Sequence, residues 1–202
     1  MAARGSPDMF LWDPYTGTRI SLPPDREGFL MGDGHWRCLL SRKPVVAAAH
    51  PNCTVDVLVL SLEGTAFWHC RLGRDERWLR HEYDHDQLPL STPSTLNGMF
   101  VIMFVNKVVM LELSTEPVMF TEIPVDMDPA STPPCTYSMS RLVESRGDLF
   151  RVTFLLSDLQ RRIIDGISVF KLDLSARVWE KVELLDGRVF LVQYPSQFWR
   201  IA

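Results

Sequence analysis

The sequence has almost no helical hydrophobic periodicity, no apolar run long enough to cross a bilayer, no surplus of positive charge and no paired cysteine motif. Each absence removes a class of protein. The one helical signal lies at Ser157-Asp158-Leu159-Gln160-Arg161-Arg162, where a Ser or Asp cap precedes helix formers, and it reads equally well as a loop insertion. The longest apolar stretch, Met99 to Val105, is broken by Asn106-Lys107 before Val108-Val109-Met110-Leu111, well short of the ~20 residues of a membrane helix. It reads as a buried hairpin, and no membrane partner is expected. Lys and Arg total 21 against 25 Asp and Glu, for a net charge of −4. Nucleic-acid affinity needs clustered basic residues that release counterions, so nucleic acid is set aside as a partner.

Four cysteines, Cys38, Cys53, Cys70 and Cys135, form no C-x-x-C pair, and no charged and apolar leader opens the chain. Reduced thiols in the cytoplasm or nucleus are expected. On that reading the sequon Asn52-Cys53-Thr54 is fortuitous. There is no G-x-S-x-G nucleophile elbow and no phosphate-cradling loop, since Gly32-Asp33-Gly34 lacks a third glycine and a following helix.

What is present is strand signal. A chain of 202 residues with 46% hydrophobic residues can bury roughly 70% of its unfolded surface in one core. Residues 1–8 read as a flexible start and 9–202 as one domain. Short runs rich in Val, Ile, Phe and Trp, bounded by Gly, Pro, Asp and Ser, recur from Met9 to Val192. A degenerate unit of strand, polar turn and second strand appears four times, at Phe10–Leu22, at Ala66–Leu72 with Arg77-Trp78-Leu79, at Val109–Leu113 with Val118-Met119-Phe120, and at Val169–Leu174 with Val178-Trp179-Glu180. With Ile20, Trp78, Phe120 and Trp179 taken as equivalent, the intervals are 58, 42 and 59 residues. Repeats of about 40–50 residues are the propeller signature, because a single blade cannot bury both of its faces. The fold class expected is therefore all-β, a β-propeller of antiparallel strands, with a β-sandwich as the alternative. Ser145-Arg146-Gly147-Asp148 and Asp186-Gly187 read as turns because glycine supplies positive φ.

The cluster nearest to chemistry is His69-Cys70 with His81-Glu82-Tyr83-Asp84-His85-Asp86, where the His81/His85 spacing occurs in zinc sites. No second ligand pair stands at a matching distance, so it reads as a solvated strand end, and no metal, cofactor-binding or catalytic residue is assigned. Glu122, Asp126 and Asp128 read as acids that solvate a proline-bearing connection, with contact to a basic partner as the alternative. Trp12, Trp68, Trp78 and Trp179 read as core, whereas Trp36 and Trp199 lie near loops that suit a binding surface.

The segment Leu11-Trp12-Asp13-Pro14-Tyr15-Thr16-Gly17-Thr18-Arg19-Ile20-Ser21-Leu22-Pro23-Pro24 resembles the Asn-Pro-Leu-Thr-Gly stretch and Leu-Pro-Pro strand end of the KIB-type β-propeller family of plant F-box proteins. Three further stretches agree in order. They are Phe67–Gly73 with Trp78, Arg141–Val152, and Val169–Asp173 with Trp179 and Val189–Leu191. A WD-repeat reading is carried by the single dipeptide Trp12-Asp13.

In that family an N-terminal F-box docks on the adaptor of a cullin ubiquitin ligase while the propeller selects the target, and some members bind shaggy-like kinases. The resemblance therefore implies a non-catalytic domain that binds a protein partner, a kinase in some relatives. No leucine-rich helical F-box precedes Phe10, and the chain stops before the family's closing Asn-Cys-Ile-Tyr-Phe-type strand. The expectation is an incomplete propeller of about four blades that does not recruit the ligase adaptor. A truncated, non-functional gene product is one alternative reading. An enzyme on a propeller scaffold is the other.

Overall fold

The computed structural model describes residues 8–30, 36–44, 55–61, 64–82, 91–113, 118–126, 137–158, 163–194 and 197–201. These contain seventeen β-strands and no helix, hence no helix long and apolar enough to cross a membrane. Two compact units are present, Met1–Leu88 and Pro89–Ala202.

In the first unit, β1 (Met9–Trp12) and β2 (Arg19–Leu22) form a hairpin, and β3 (Trp36–Leu40), β4 (Asp56–Ser61), β5 (Ala66–Arg71) and β6 (Leu79–Glu82) form an antiparallel sheet in that order. The hairpin turn is organised by Asp13. Its carboxylate accepts the Tyr15 N–H at 2.9 Å and the Thr16 hydroxyl at 2.9 Å, and Gly17 takes φ +70°.

Side chains alternate across a strand, so the cross-strand partners Val59/Trp68 and Val57/Cys70 share one face of the four-stranded sheet. That face packs with Met9, Leu11 and Leu22 of the hairpin and with Phe29, which stacks on Trp68 at 4.5 Å between ring centroids. Pro23–Leu30 is held there by polar contacts. Trp78 Nε1 donates to the Pro23 carbonyl at 2.8 Å, and Trp68 Nε1 donates to Glu27 at 3.1 Å. The opposite face carries Leu58, Leu60, Phe67 and His69, which are also buried.

In the second unit, β8 (Ser94–Leu96), β9 (Met99–Met103), β10 (Lys107–Glu112) and β11 (Met119–Pro124) form one antiparallel sheet. A second sheet runs β12 (Tyr137–Ser145), β13 (Asp148–Asp158), β14 (Ile163–Asp173) and β15 (Val178–Lys181), with β7 (Ser91–Thr92) added parallel to β12. β16 (Phe190–Tyr194) and β17 (Gln197–Ile201) form a terminal hairpin.

Val101, Met103, Val108 and Met110 of the first sheet pack against Leu142, Phe170, Leu172 and Trp179 of the second. The other face of the second sheet places Phe150, Val152, Phe154 and Val169 against Phe190 and Val192. The central strand β13 is thus buried on both sides. Arg151 is 2% exposed, on the face shared with Phe170, with its guanidinium 4.4 Å from the Phe170 ring centre and 5.0 Å from that of Trp179.

Several expectations change. Trp78 and Trp179 are buried, but Phe120 is 41% exposed. The reason is parity: Phe120 stands opposite Leu111, whereas Ile123, opposite Val108, is the β11 residue on the core face. Trp12 is 48% exposed because Met9 and Leu11 take the inner face of its hairpin. Trp36, expected at a surface, is partly buried against Phe29 and Trp68. Ser157 and Asp158 end β13 as strand rather than starting a helix, and Leu159–Arg162 lie outside the described residues. Of the Val189–Val192 run, Phe190–Val192 pair with β17.

Two stability tests follow from this packing. Trp179→Ala is expected to cost about 3–5 kcal/mol and Phe120→Ala no more than about 1 kcal/mol in urea unfolding. Equal losses would show the inward face of β11 to be misassigned. Gly17 and Arg177 occupy matching positions four residues after a turn-capping aspartate, both at positive φ. No neighbour crowds a Cβ at Gly17, so the penalty of Gly17→Ala is conformational, about 1 kcal/mol, whereas Arg177→Gly should cost nothing in the same assay.

Candidate functional site at the turn end of the second unit

Three tight turns meet at one end of the second unit. Asn97-Gly98 joins β8 to β9 with φ +52° and +85°, and Arg146-Gly147 joins β12 to β13 with φ +55° and +80°. Positive φ at both central residues marks the hairpin turns whose twist matches that of the strands. The Gly147 N–H donates to the Glu144 carboxylate at 2.9 Å. Between β14 and β15, Asp173 Oδ1 accepts the backbone N–H groups of Ser175 at 2.7 Å and Ala176 at 2.9 Å. Those bonds, Ala176 first, hold the Asp173 carboxyl below the usual carboxylate range.

Between these turns lies an open cleft of about 290 Å³. Leu96, Leu149, Leu172 and Leu174 supply its apolar lining, while Asp148, Lys171, Asp173 and Glu180 supply its charge. Lys171 Nζ sits 2.9 Å from Asp148 Oδ1, and Arg188 donates to Asp148 Oδ2 at 2.9 Å, so both Asp148 oxygens have a cation. Arg188 is itself seated over the Phe150 ring at 5.3 Å. Glu180 stands directly across the strand pair from Lys171, but that ammonium is directed to Asp148. Sequence reasoning missed this cleft. The cue was available in two turns already legible, at Arg146-Gly147 and after Asp173, which the topology brings to one end.

The residues singled out from sequence do not assemble there. His69 and His81 stack at 4.8 Å between ring centroids on adjacent strands of the first unit, with Phe67 stacked on His81 at 5.0 Å. Burial, with the neighbouring His81 ring second, drives the His69 pKa down to about 4, and burial lowers that of His81 as well. Cys70 faces the other side of β5, its thiol pushed up to about 12 by burial. Glu82 pairs with Arg80 at the surface. Asp84, His85 and Asp86 lie outside the described residues. Among the described residues no group of three or more His, Cys, Asp or Glu is placed to hold a metal ion.

Glu122 pairs with Lys107 at 2.9 Å, Asp126 bridges to Val178, and Asp128 lies outside the described residues. Trp199 falls on β17 at the register position opposite Val192.

Antiparallel sheets packed through both faces of their central strands, with tight turns gathered at the strand ends, define an all-β domain of stacked sheets. The chain belongs to the KIB1-4 β-propeller family, whose model matches residues 1–200. No curated protein matches the chain, and no solved structure does.

The histidine stack sets a pH dependence. Between pH 6.5 and about 4 the unfolded chain binds a proton that folded His69 does not. Stability contributed by neutral His69 is therefore complete above pH 6.5 and is lost as the pH falls through that window. Urea midpoints measured across it should fall less steeply for His69→Phe than for the wild-type chain. Parallel curves would mean that His69 does not titrate differently on folding.

Proposed function

We propose that this domain is a non-catalytic recognition module of the cytoplasm or nucleus that holds a partner protein at the turn end of its second unit. The carrying observation is the cleft itself, a solvent-open concavity set between turns that well-packed strands keep in place. The groups displaced toward their neutral forms, His69, His81, Asp56, Cys38 and Cys70, line no part of it. Asp173, which does line it, is displaced toward the charged form, which suits holding a charge rather than exchanging a proton.

The sheets read as blades. Three of at least four strands and two hairpins of two strands amount to about four blades. In this reading the module corresponds to the target-selecting part of the F-box proteins its sequence resembles, and a shaggy-like kinase is the first partner to test.

The experiment is affinity capture with three forms of the full chain: wild type, Asp173→Lys with Glu180→Lys, and Glu82→Lys on the first unit. A specific partner should be held by the wild type and by Glu82→Lys and be lost from the double variant. A wild-type chain that melts cooperatively yet enriches no partner would overturn the proposal.

A further inference from the structure

Three sheets of this chain are built from four consecutive antiparallel strands, β3–β6, β8–β11 and β12–β15, the last extended by β7. The two end hairpins have two strands each, and among the described strands β1 and β17 pair only with their hairpin partners. Each hairpin also packs through one face. Met9, Leu11 and Leu22 are turned to the β3–β6 sheet, which leaves Trp12 exposed on the other face, across from Arg19. Phe190 and Val192 are turned to the β12–β15 sheet, which leaves Leu191 74% exposed.

The sheets they pack on show the matching deficit. Cys38 stands opposite Val59, on the face that carries Trp68 and meets Met9, yet it is exposed. Ile167 stands opposite Phe154, on the face that meets Phe190, yet it is 38% exposed. Where a four-stranded sheet meets another, the facing residues Val101, Met103, Val108 and Phe170 are all buried. A hairpin of two strands is too narrow for a face of four.

The two hairpins have the form of complementary halves. In the order β16-β17-β1-β2 they run antiparallel throughout, as the full sheets do, with β17 of five residues against β1 of four. In such a sheet the open face of each hairpin falls over what the other leaves bare, Trp12 toward Ile167 and Leu191 toward Cys38. Within one chain β1 and β17 stay in separate sheets, so the occupant is a second copy.

We propose that the β16–β17 hairpin of one copy and the β1–β2 hairpin of another join into one shared four-stranded sheet, and that two such junctions close a two-fold dimer. At about 3.3 Å per residue and about 4.8 Å per strand, one hairpin face spans roughly 160 Å². Each junction hides two hairpin faces and the two sheet halves they cover, so the pair of junctions buries roughly 1,300 Å², within the range of a stable interface. A four-residue strand set against Ile167 in the middle of β14 leaves the cleft at the Asp173 end of that strand open.

The test is the molar mass of the full chain by light scattering across a dilution series, read together with hydrogen exchange. Two chains per particle are expected at micromolar concentration, with slow exchange at the amides of β1 and β17 that becomes fast on dilution to the monomer. Leu191→Glu and Trp12→Glu place a charge at positions already exposed in one chain, so each should keep the strand spectrum by circular dichroism and weaken the dimer by about tenfold or more. Met119→Glu, at an exposed position on the edge strand β11, should leave the mass unchanged. A monomer at every concentration would overturn the proposal, and protected β17 amides in that monomer would assign the pairing to a single chain instead. A dimer that survives both Leu191→Glu and Trp12→Glu, or that Met119→Glu dissociates, would overturn it as well.

Discussion

The structure depends on one constraint: its central strands carry apolar side chains on both faces, so a sheet must have something packed against each side. β4 and β5 are buried along their whole length, and β13 sends Phe150, Val152 and Phe154 one way and Leu149 and Arg151 the other. An antiparallel sheet with one solvated face would show polar residues at every second position instead. Stacking of sheet on sheet satisfies the requirement within the second unit, where the five-stranded sheet has the β8–β11 sheet on one side and the β16–β17 hairpin on the other. The edge strand β11 is exposed along most of its length, Met119 and Phe120 included.

Arg151 is an exception that the second unit's packing has to absorb, as the Asp56–Arg71 pair is in the first. A guanidinium at 2% exposure costs a great deal of hydration, and two aromatic rings within 4.4 and 5.0 Å return part of it through their negative faces. Arginine suits such a place better than lysine because its delocalised charge is weakly hydrated and its flat group stacks. The neighbouring Ser140 and Thr153 hydroxyls, 3.0 Å apart, lie on the same face of the sheet and make this the polar stripe of an otherwise apolar interface.

Much of the strand content was legible because it rests on local chemistry. Short apolar runs bounded by turn residues marked what became β5, β10, β13 and β14, and glycine-bearing pairs marked the turns at Arg146-Gly147 and Asp186-Gly187, both observed at positive φ. The direction of individual side chains was less legible, since a shift of one residue sends a strand's side chains to the opposite face. Phe120 shows this: it was aligned with Trp179, but Trp179 pairs with the core residue Leu172, whereas Phe120 pairs with Leu111 on the far side of its sheet. The cleft was invisible for another reason. Leu96, Asp148 and the Asp173/Glu180 pair are far apart in sequence and flank three separate turns, so only the topology brings them together. His69 and His81, which looked most like chemistry, instead stack on one another across β5 and β6.

Native-state hydrogen exchange tests the central claim most directly, because it reads the protection of each strand rather than that of the chain as a whole. Amides of β13 and of Val169–Leu172 in β14, packed between neighbours on both faces, should exchange only through the most costly openings of the second unit, and those of the edge strand β11 much faster. If β13 exchanged as readily as β11, the sheets would not be stacked as described, and the rigid turns that frame the cleft would lose their support.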